Sequence, residues 1–303
     1  MRVIAIGECM VELAPVGDGL FTMGYAGDTF NAAWYLRRLL PVTASVSYLS
    51  AVGTDAVSDR MLDFMAAEGI ITDHVQRVPE RSVGLYLIQL NNGERSFAYW
   101  RSSSAARLLA EDATRLDRVL DGADLIYLSG ITLAILDADA RSRLMASLAH
   151  ARAAGSRVAF DPNIRPSLWP DTATMLQSIT DLAAGADIVL PSYDDEARHF
   201  GDPDPAATAQ RYASHGEALV VVKDGPRPIV TWQAGKSEHH PVPVPAAPVL
   251  DTTAAGDSFN AGFLASYLAG AKLSKAVSAG TSLAARVIAG PGALVRSAVE
   301  FAT

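Results

Sequence analysis

The sequence is poor in cysteine and carries no excess of positive charge. Cys9 is the single cysteine among 303 residues, so no disulfide can form within the chain. Because disulfides are rare in reducing compartments, we expect the protein in the cytoplasm. The 25 lysines and arginines are outnumbered by 33 aspartates and glutamates, which gives a net charge of −8. Nucleic-acid binders need a basic surface for the phosphates, so this balance argues against that class.

Long hydrophobic runs are also missing. The first apolar run, residues 3–6, ends at Gly7, and later runs are interrupted by glycine, serine or aspartate. A membrane span needs about 20 apolar residues and a signal-peptide core about ten, so we expect neither. Half of the residues are apolar and 19% are charged, which excludes a disordered chain and a coiled coil. At about 150 residues per domain, the length predicts two domains, or one large domain with an appendage.

Short apolar runs bounded by turn residues predict a parallel sheet. Continuous rather than alternating hydrophobicity is typical of strands that helices cover on both faces. Three intervening segments have apolar residues at three- and four-residue spacing and are long enough for helices. This alternation predicts an α/β doubly wound domain. The predicted strands are 3–6, 45–50, 125–128, 157–160, 188–190 and 218–222, and the predicted helices are 56–68, 138–153 and 256–268.

Residues 11–25 and 83–100 follow a different pattern. They contain Val-Gly-Asp-Gly and Asn91-Asn-Gly turn sequences, and Val83, Leu85 and Leu87 occupy alternating positions. Such a pattern predicts two β-hairpins, each with one polar face. We expect the two hairpins to pair into a small antiparallel lid beside the main domain. The alternative is that they only extend the edge of the main sheet.

The segment Asp251-Thr-Thr-Ala-Ala-Gly-Asp257 predicts an anion site at the start of a helix. Its small residues let the backbone approach a ligand closely, and the free N–H groups of a helix start bind anions. A carboxylate beside a bound phosphate would be repelled unless it has a chemical role, and general-base catalysis is such a role. Asp257 is therefore the candidate base. The alternative is a first-turn acid that complements the helix dipole.

Three further segments are candidates for a nucleotide site. Lys223-Asp-Gly225 follows a predicted strand at the edge where ligands of open α/β sheets bind, although a strand-ending turn needs no ligand. The acids within 191–196 can orient hydrated Mg²⁺ or simply begin a helix. The small residues of 279–293 permit either close helix packing or a flat slot for a purine ring. The residues alone leave these alternatives open.

Taken together, the motifs resemble those of the ribokinase-like carbohydrate kinases. Residues 251–257 are similar to that family's Asp-Thr-x-Gly-Ala-Gly-Asp segment, and residues 27–33 are similar to its Gly-Gly-x-x-x-Asn-x-Ala element. The resemblance implies a Rossmann-type three-layer α/β domain with a β-sheet lid, which in several members also forms a dimer contact. The resemblance therefore allows a homo-oligomer through the lid, but the sequence leaves the oligomeric state open. The expected boundaries are 1–10, 26–82 and 101–303 for the α/β domain and 11–25 and 83–100 for the lid.

Two positions depart from the family pattern. Ala254 replaces the first glycine of the anion segment, which its methyl group permits if the residue keeps a negative φ angle. The family's metal-linked Asn-x-x-Glu element reads Ser192-Tyr-Asp-Asp195 here. The residues that organise a metal are therefore left unassigned.

The family resemblance implies transfer of the γ-phosphate of ATP to a substrate hydroxyl, with Mg²⁺ as the metal. Asp257 would take the proton from that hydroxyl, and N–H groups around Ala254 to Asp257 would stabilise the developing negative charge. The residues expected at the nucleotide are Ser192, Lys223, Gly225, Ala254, Ala255, Gly256 and Ala284.

The lid sequence indicates an acidic sugar. Tyr99 and Arg101 lie two residues apart on one face of a predicted strand, and arginine beside tyrosine hydroxyls suits a carboxylate. The alternative is an arginine that forms a surface ion pair. Segments 99–106, 127–136 and 161–169 resemble those of the family's 2-keto-3-deoxygluconate kinases, which implies phosphorylation of that sugar acid at its 6-hydroxyl. The expected substrate-binding residues are Gly27, Asp28, Asn31, Tyr86, Tyr99, Arg101, Arg165 and Asp257.

Three other functions fit parts of the sequence. A kinase for a neutral sugar such as fructose or ribose is the rival within the family. A sensor of sugar acids or nucleotides would use Asp257 only to hydrogen-bond its ligand. A nicotinamide dehydrogenase is disfavoured, because no Gly-x-Gly-x-x-Gly follows the first predicted strand. The sequence leaves open the choice between gluconate and galactonate epimers, the monovalent-cation requirement, and whether Arg165 contacts a phosphate or the substrate carboxylate.

Overall fold

The computed structural model describes residues 1–91, 94–216 and 218–300. Its strands form one nine-stranded sheet and one separate four-stranded sheet. The predicted Asn91-Asn-Gly turn includes residues 92 and 93, which lie outside the described residues, as do residues 301–303 of the expected α/β domain.

The described elements alternate as the sequence predicts. The strands are β1 (Arg2–Ile6), β2 (Met10–Gly17), β3 (Leu20–Ala26), β4 (Ser45–Val52), β5 (Val75–Arg77), β6 (Leu85–Asn91), β7 (Glu94–Trp100), β8 (Leu125–Ser129), β9 (Arg157–Asp161), β10 (Ile188–Val189), β11 (Leu219–Val222), β12 (Ile229–Gln233) and β13 (Lys236–His240). The helices are α1 (Asp28–Leu39), α2 (Ala56–Ala67), α3 (Ala113–Leu120), α4 (Gly130–Ala134), α5 (Ala138–Ala153), α6 (Thr172–Ala184), α7 (Tyr193–Phe200), α8 (Pro205–Ala213), α9 (Ala255–Leu268) and α10 (Leu273–Val287).

The large sheet has the strand order β13-β12-β11-β10-β9-β8-β1-β4-β5, and its strands are parallel apart from β12 and β13. Strand β1 shows why it is covered on both sides. Val3 and Ala5 pack into one buried cluster, while Ile4 and Ile6 pack into the other. Burial of each large apolar side chain contributes about 1.5–3 kcal/mol, so both helix layers are needed to cover these strands. The expected three-layer α/β architecture is confirmed.

The helices differ in how they begin. Asp55, Asp112, Asp137, Asp171 and Asp204 each cap a helix by accepting one or more backbone N–H groups of its first turn. Each such cap is worth about 1 kcal/mol. Helices α1, α7 and α9 begin without a side-chain cap, which leaves their first N–H groups available for other partners. Within the described residues, no helix is long and apolar enough to cross a membrane.

The four-stranded sheet, in the order β3-β2-β6-β7, is the lid. It is separate from the large sheet, so the two hairpins do not merely extend that sheet's edge. Each hairpin is antiparallel, but β2 and β6 pair in parallel, and the expectation of a wholly antiparallel lid is wrong at that junction. Strands β2 and β6 are each the first strand of a hairpin, and the chain enters each of them from the α/β domain. Because both strands lead away from that domain side by side, they run in the same direction and pair in parallel.

Candidate active site

The anion loop, residues 251–256, leads directly into α9. Asp251 braces the loop, because its Oδ1 accepts the N–H and the hydroxyl of Thr253 at 3.0 and 2.7 Å, and its Oδ2 accepts the N–H of Gly292 at 2.7 Å. Ala254 has a left-handed conformation with φ of 58°. The negative φ that was the condition for permitting this methyl group is therefore not observed. Its methyl group costs about 1 kcal/mol in that conformation, which the surrounding bonds impose.

The start of α9 keeps two backbone donors for an anion. The N–H of Ala255 bonds to the carbonyl of Thr252 at 3.2 Å, and the first regular helical bond joins the N–H of Ser258 to the carbonyl of Ala254 at 2.9 Å. The N–H groups of Gly256 and Asp257 lie between these two bonds, among the donors that a helix start leaves unsatisfied. Donors of this kind bind phosphate oxygens. Ala255 was expected to offer its N–H to the nucleotide, but this N–H is bonded to Thr252 inside the loop.

Asp257 lies where the first turns of α1 and α9 meet. Asn31 donates from Nδ2 to Asp257 Oδ2 at 2.8 Å, while its own Oδ1 accepts the N–H of Gly27 at 3.3 Å. This second bond orients the amide of Asn31. A side chain at position 27 would collide with the backbone carbonyl of Glu8, so glycine lets α1 start close to the loop after β1. Asn31 and Asp257, which are 226 residues apart in the sequence, thus meet.

The surroundings of Asp257 raise its pKa to about 8. Removal of the carboxylate from solvent is the largest cause, and the negative charge of Asp28 is the next. The hydrogen bond from Asn31 and the positive charge of Lys223 act in the opposite direction. A carboxylate whose pKa lies near the working pH can accept a proton from a hydroxyl group and release it again, as a general base must.

Asp28 is held beside Asp257 by the segment that follows β9. Its Oδ1 accepts the N–H of Thr29 at 2.8 Å, and its Oδ2 accepts the side-chain amide of Asn163 at 2.7 Å. Asp161, the last residue of β9, accepts the N–H of Asn163 at 3.1 Å and so fixes this segment. Both carboxylate oxygens of Asp28 are engaged by protein donors. Its effect on the neighbouring Asp257 is therefore chiefly electrostatic.

Lys223 points into the protein interior. Its residue is only 9% exposed, and Nζ donates to Asp161 Oδ2 at 3.1 Å and to Asn260 Oδ1 at 3.0 Å. A Cβ atom on Gly256 would lie 3.7 Å from this ammonium nitrogen, so the charge lies beneath the anion loop. The sequence predicted that Lys223 lies at the nucleotide. The structure instead pairs this cation with an aspartate.

The inner face of the lid carries two tyrosines opposite each other in the register of β6 and β7. The rings of Tyr86 and Tyr99 are 5.9 Å apart, and Tyr99 is 53% exposed. The hydroxyl of Tyr86 donates to Glu12 on β2. Removal from solvent and then the charge of Glu12 raise the pKa of Tyr86, so this hydroxyl stays protonated. It remains a hydrogen-bond donor across the usable pH range.

Arg101 is paired rather than free. Its Nη2 donates to Glu8, and the two side chains are 10% and 1% exposed. Glu8 Oε1 and Arg101 Nε are both buried and have no hydrogen-bond partner. The guanidinium lies 6.0 Å from the ring centroid of Tyr99. One edge of Arg101 is therefore fixed by Glu8, and donor capacity remains on the rest of the group.

The pfkB family carbohydrate kinase model matches residues 1–298 of this sequence. The chain belongs to this family. It is 39% identical over 300 residues to a 2-dehydro-3-deoxygluconokinase of Dickeya dadantii, covering 97% of this chain and 96% of the relative. The crystal structure of a PfkB protein from Polaromonas sp. JS666 superimposes with a TM-score of 0.85 at 30% identity, covering 97% and 98% of the two chains. A fructokinase from Xylella fastidiosa with bound ATP has the same fold, with a TM-score of 0.81, 23% identity, and 98% and 96% coverage.

In this kinase Arg165 lies beside the start of α7. Arg165 Nη1 lies 3.5 Å from Asp195 Oδ2, and the arginine is half exposed. Removal from solvent raises the pKa of Asp195, while the charge of Arg165 opposes that change. Ser192 is the residue just before α7, and its side chain makes no capping hydrogen bond. Its backbone forms an isolated parallel β-bridge with Lys223. This arrangement joins the predicted nucleotide residues Ser192 and Lys223 through their backbones.

The other two predicted nucleotide residues of the kinase have a less specific setting. Gly225 has φ of 55° in the exposed turn between β11 and β12, a conformation that glycine adopts readily. Ala284 lies on α10, whose small residues pack against α9. A Cβ atom on Gly262 would come within 2.9 Å of the carbonyl of Ala279, which shows how closely the two helices approach. The structure supports the packing role of this segment, and contact of Ala284 with a purine stays a prediction.

Sequence reasoning missed five polar residues of the kinase site. Four are carboxylates or amides that follow strands or lie on hairpins, and Asn260 lies one helical turn after Asp257. Asn260 Nδ2 donates to Asp161 Oδ2 at 2.6 Å and to the hydroxyl of Tyr127 at 3.0 Å. An asparagine directly before the small and apolar residues 261–265 of a predicted helix was the available signal. The missed residues are Glu8, Glu12, Asp161, Asn163 and Asn260.

Proposed function

We propose that this kinase transfers the γ-phosphoryl group of ATP to the 6-hydroxyl of 2-keto-3-deoxygluconate. The observation that carries the phosphoryl transfer is the convergence of Asn31 and Asp257 at the uncapped start of α9. The lid arginine supports an acidic substrate, and the relative from Dickeya dadantii, which shares 39% of its residues, supports this particular sugar acid.

In this proposal Asp257 is the general base. Asn31 occupies Oδ2 of Asp257, so Oδ1 is the oxygen available to accept the proton of the substrate hydroxyl. As that hydroxyl oxygen attacks the γ-phosphorus, the bond to the leaving ADP oxygen breaks and the proton passes to Asp257. The N–H groups of Gly256 and Asp257 stabilise the negative charge on the transferred group.

Magnesium fits the site as a companion of the nucleotide rather than as a resident metal. Within the described residues, no cluster of three or more histidine, cysteine, aspartate or glutamate side chains could hold a metal ion. Mg²⁺ in kinases is usually held by phosphate oxygens, water and one or two carboxylates. Asp195, on the first turn of α7, is the carboxylate that we assign to this part. When bound, the metal would neutralise charge on the phosphates.

The lid supplies recognition of the substrate carboxylate. Glu8 holds one edge of Arg101, and the donors that remain on the guanidinium suit a carboxylate in the same plane. Tyr99, exposed beside Arg101, adds a hydroxyl donor. Gly27, Asp28 and Asn31 lie on the opposite wall at the start of α1 and would hold the end of the sugar that is phosphorylated.

A neutral sugar such as fructose is the second candidate substrate. The observation in its favour is the Glu8–Arg101 pair, because Glu8 already neutralises the cation that an acidic substrate would need. A sugar without a carboxylate would then meet a site with no net charge at this position.

We also propose that the outer face of the lid binds a second copy of the chain. Phe21 and Met23 on β3 and Trp100 on β7 are 45%, 43% and 60% exposed, and strand alternation places them on the face opposite Tyr86 and Tyr99. Analytical ultracentrifugation tests this contact. The double variant Phe21→Lys/Met23→Lys should sediment as a monomer, whereas Thr22→Lys on the inner face should not change the assembly.

The substrate is tested by an assay with ATP, Mg²⁺ and a panel of four sugars, followed by ADP release. We expect turnover with 2-keto-3-deoxygluconate and little with fructose or ribose. Preference for either neutral sugar would overturn the sugar-acid assignment. A similar rate with the galactonate epimer would show that the 4-hydroxyl configuration is not read. Ligand binding without ADP release from any sugar would favour a sensor over a kinase.

A further inference from the structure

Lys223 is the charged residue of the site whose position differs most from the sequence-based expectation. It follows β11 at the edge of the sheet where the site lies, yet its ammonium group is buried under the first turn of α9. We propose that Lys223 is a positioning residue that fixes this turn and lowers the proton affinity of the base. The inference rests on the proposed role of Asp257 as that base.

The contacts of Lys223 join three elements beneath the anion loop. Its Nζ bonds to Asp161 at the end of β9 and to Asn260 on α9, at 3.1 and 3.0 Å. Asn260 donates in turn to Asp161 at 2.6 Å, which closes a ring of three side chains. Because Asn260 and Asp257 lie one turn apart on α9, this ring sets the height and rotation of the helix start that carries Asp257.

The backbone of Lys223 extends the connection to α7. Its N–H donates to the carbonyl of Pro191 at 2.9 Å, and its carbonyl accepts the N–H of Tyr193 at 2.8 Å. Residues on both sides of Ser192 are therefore tied to Lys223. The start of α7, with Ser192 and Asp195, and the start of α9, with Asp257, are thus held in one arrangement through this residue.

The charged and titratable groups that face Asp257 come from four elements. Asp28 on α1 and Asp161 on β9 are negative, and Lys223 after β11 is positive. Tyr35 on α1 and Tyr127 on β8 are neutral, because removal from solvent raises the pKa of both hydroxyls. Among these groups Lys223 is the cation, so its loss leaves Asp257 beside two negative charges. The carboxylate form of Asp257 is then disfavoured.

A purely structural role makes a different prediction from the electrostatic one. If the ring of three side chains only satisfies buried polar groups, removal of either charged member destabilises the fold without moving the titration of Asp257. If Lys223 acts on Asp257, removal of the cation and removal of Asp161 must move that titration in opposite directions. The sign of the shift therefore separates the two roles.

The experiment compares Lys223→Met, Asp161→Asn and the double variant. The dependence of kcat on pH should show its acid limb displaced upward by about one pH unit in Lys223→Met, with about tenfold lower activity well below the limb. Asp161→Asn should displace the limb downward, and the double variant should return it close to that of the unsubstituted enzyme. KM for ATP should change less than kcat. Thermal melting shows that each variant is folded.

A second readout needs no turnover. Carbon-13 NMR of the aspartate carboxyl groups in the ligand-free protein follows the titration of Asp257, whose signal is identified by its loss in Asp257→Asn. Unchanged titration in both single variants, or shifts of the same sign in both, would overturn the inference even if activity falls. Activity retained in Asp257→Asn would instead overturn the proposed function, while the NMR titration would still decide the effect of Lys223. If Lys223→Met does not fold, Asp161→Asn and the double variant carry the test.

Discussion

The two walls of the candidate site are built in contrasting ways. At the catalytic wall, formed by α1, α9 and the end of β9, Asp28, Asp161 and Asn260 all have protein partners. At the lid wall, buried polar atoms lack partners. Of the five such atoms among the described residues, Glu8 Oε1 and Arg101 Nε belong to the ion pair beside Tyr99, whereas Tyr25 OH lies on the outer face of the lid with Phe21 and Met23.

The contrast indicates which part of the site is ready before a ligand binds. Buried polar groups without partners are costly, and a site that has them gains when a ligand supplies the missing bonds. The catalytic wall holds Asp257, the proposed base, in a fixed network, which suits a group that must act without rearranging. The lid wall, with Tyr99 half exposed, is the wall that a substrate completes.

The largest expected effect is at the catalytic wall. Asp257→Asn removes the proton acceptor but retains the hydrogen-bonding shape, so we expect kcat to fall by about 10²- to 10⁴-fold while KM for the sugar changes little. Steady-state ADP release measures both constants. Asp18→Asn, in the exposed turn between β2 and β3, is the control. A near-normal kcat in Asp257→Asn would remove the contrast between the walls, because the catalytic wall would then hold no base.

The next effect is at the lid wall and should appear in binding. Arg101→Ala should remove the charge-assisted bonds that we propose to the substrate carboxylate. Such bonds are worth about 1.5–3 kcal/mol, so KM for the sugar acid should rise by about 10- to 100-fold. KM for ATP should be unchanged. Arg118→Ala, exposed on α3, is the matched control. An equal loss of affinity for a neutral sugar would show that Arg101 supports the lid rather than recognising a carboxylate.

The third effect is a pH dependence with a definite sign. Asp257 must be deprotonated to accept a proton, and its pKa is raised to about 8, so activity should rise with pH and level off above that value. The negative charge of Asp28 is one cause of the raised pKa, so Asp28→Asn should move this limb to lower pH. A pH-rate profile of kcat measures the limb. A limb that stays in place would mean that Asp28 acts on the substrate alone.

The raised pKa of Asp257 also has a consequence for stability. Its folded-state pKa of about 8 lies above the ordinary value of 3.8, so the folded protein binds a proton that the unfolded chain releases. This contribution to stability is reduced as pH rises through 8. Asp257→Asn should remove that part of the pH dependence, as urea unfolding at pH 6 and pH 9 would show.

The smallest effect concerns the strained alanine of the anion loop. Ala254→Gly relieves the left-handed conformation, although glycine also loses more entropy on folding, so we expect a net gain of about 0.5 kcal/mol in the free energy of unfolding. Ala255→Gly, at the first position of α9, should destabilise the protein by a similar amount. Urea denaturation measures both variants. A loss of stability in Ala254→Gly would mean that the alanine methyl group makes compensating contacts.

Much of the fold follows from local sequence patterns. Apolar runs of three to six residues predicted the buried parallel strands, and helix 138–153 has the predicted bounds. The parallel junction between β2 and β6 was missed, because hairpin signals describe only neighbouring strands. At the site, the spacing of residues 251–257 and 27–31 predicted that Asp257 and Asn31 belong to one site, yet it gave no information on which atoms pair.

The sequence by itself determined the α/β class, the two hairpins and the position of Asp257 at a helix start, since these depend on periodicity and on residues close in the chain. Only the tertiary structure decided the state of the charges. Arg101 faces Glu8 and Lys223 faces Asp161, partners 93 and 62 residues away. Arg101 was expected at the substrate and Lys223 at the nucleotide, but burial of a charge is costly unless an opposite charge or hydrogen bonds compensate it. Which partner supplies that compensation depends on how distant segments pack, and a local pattern does not contain that information.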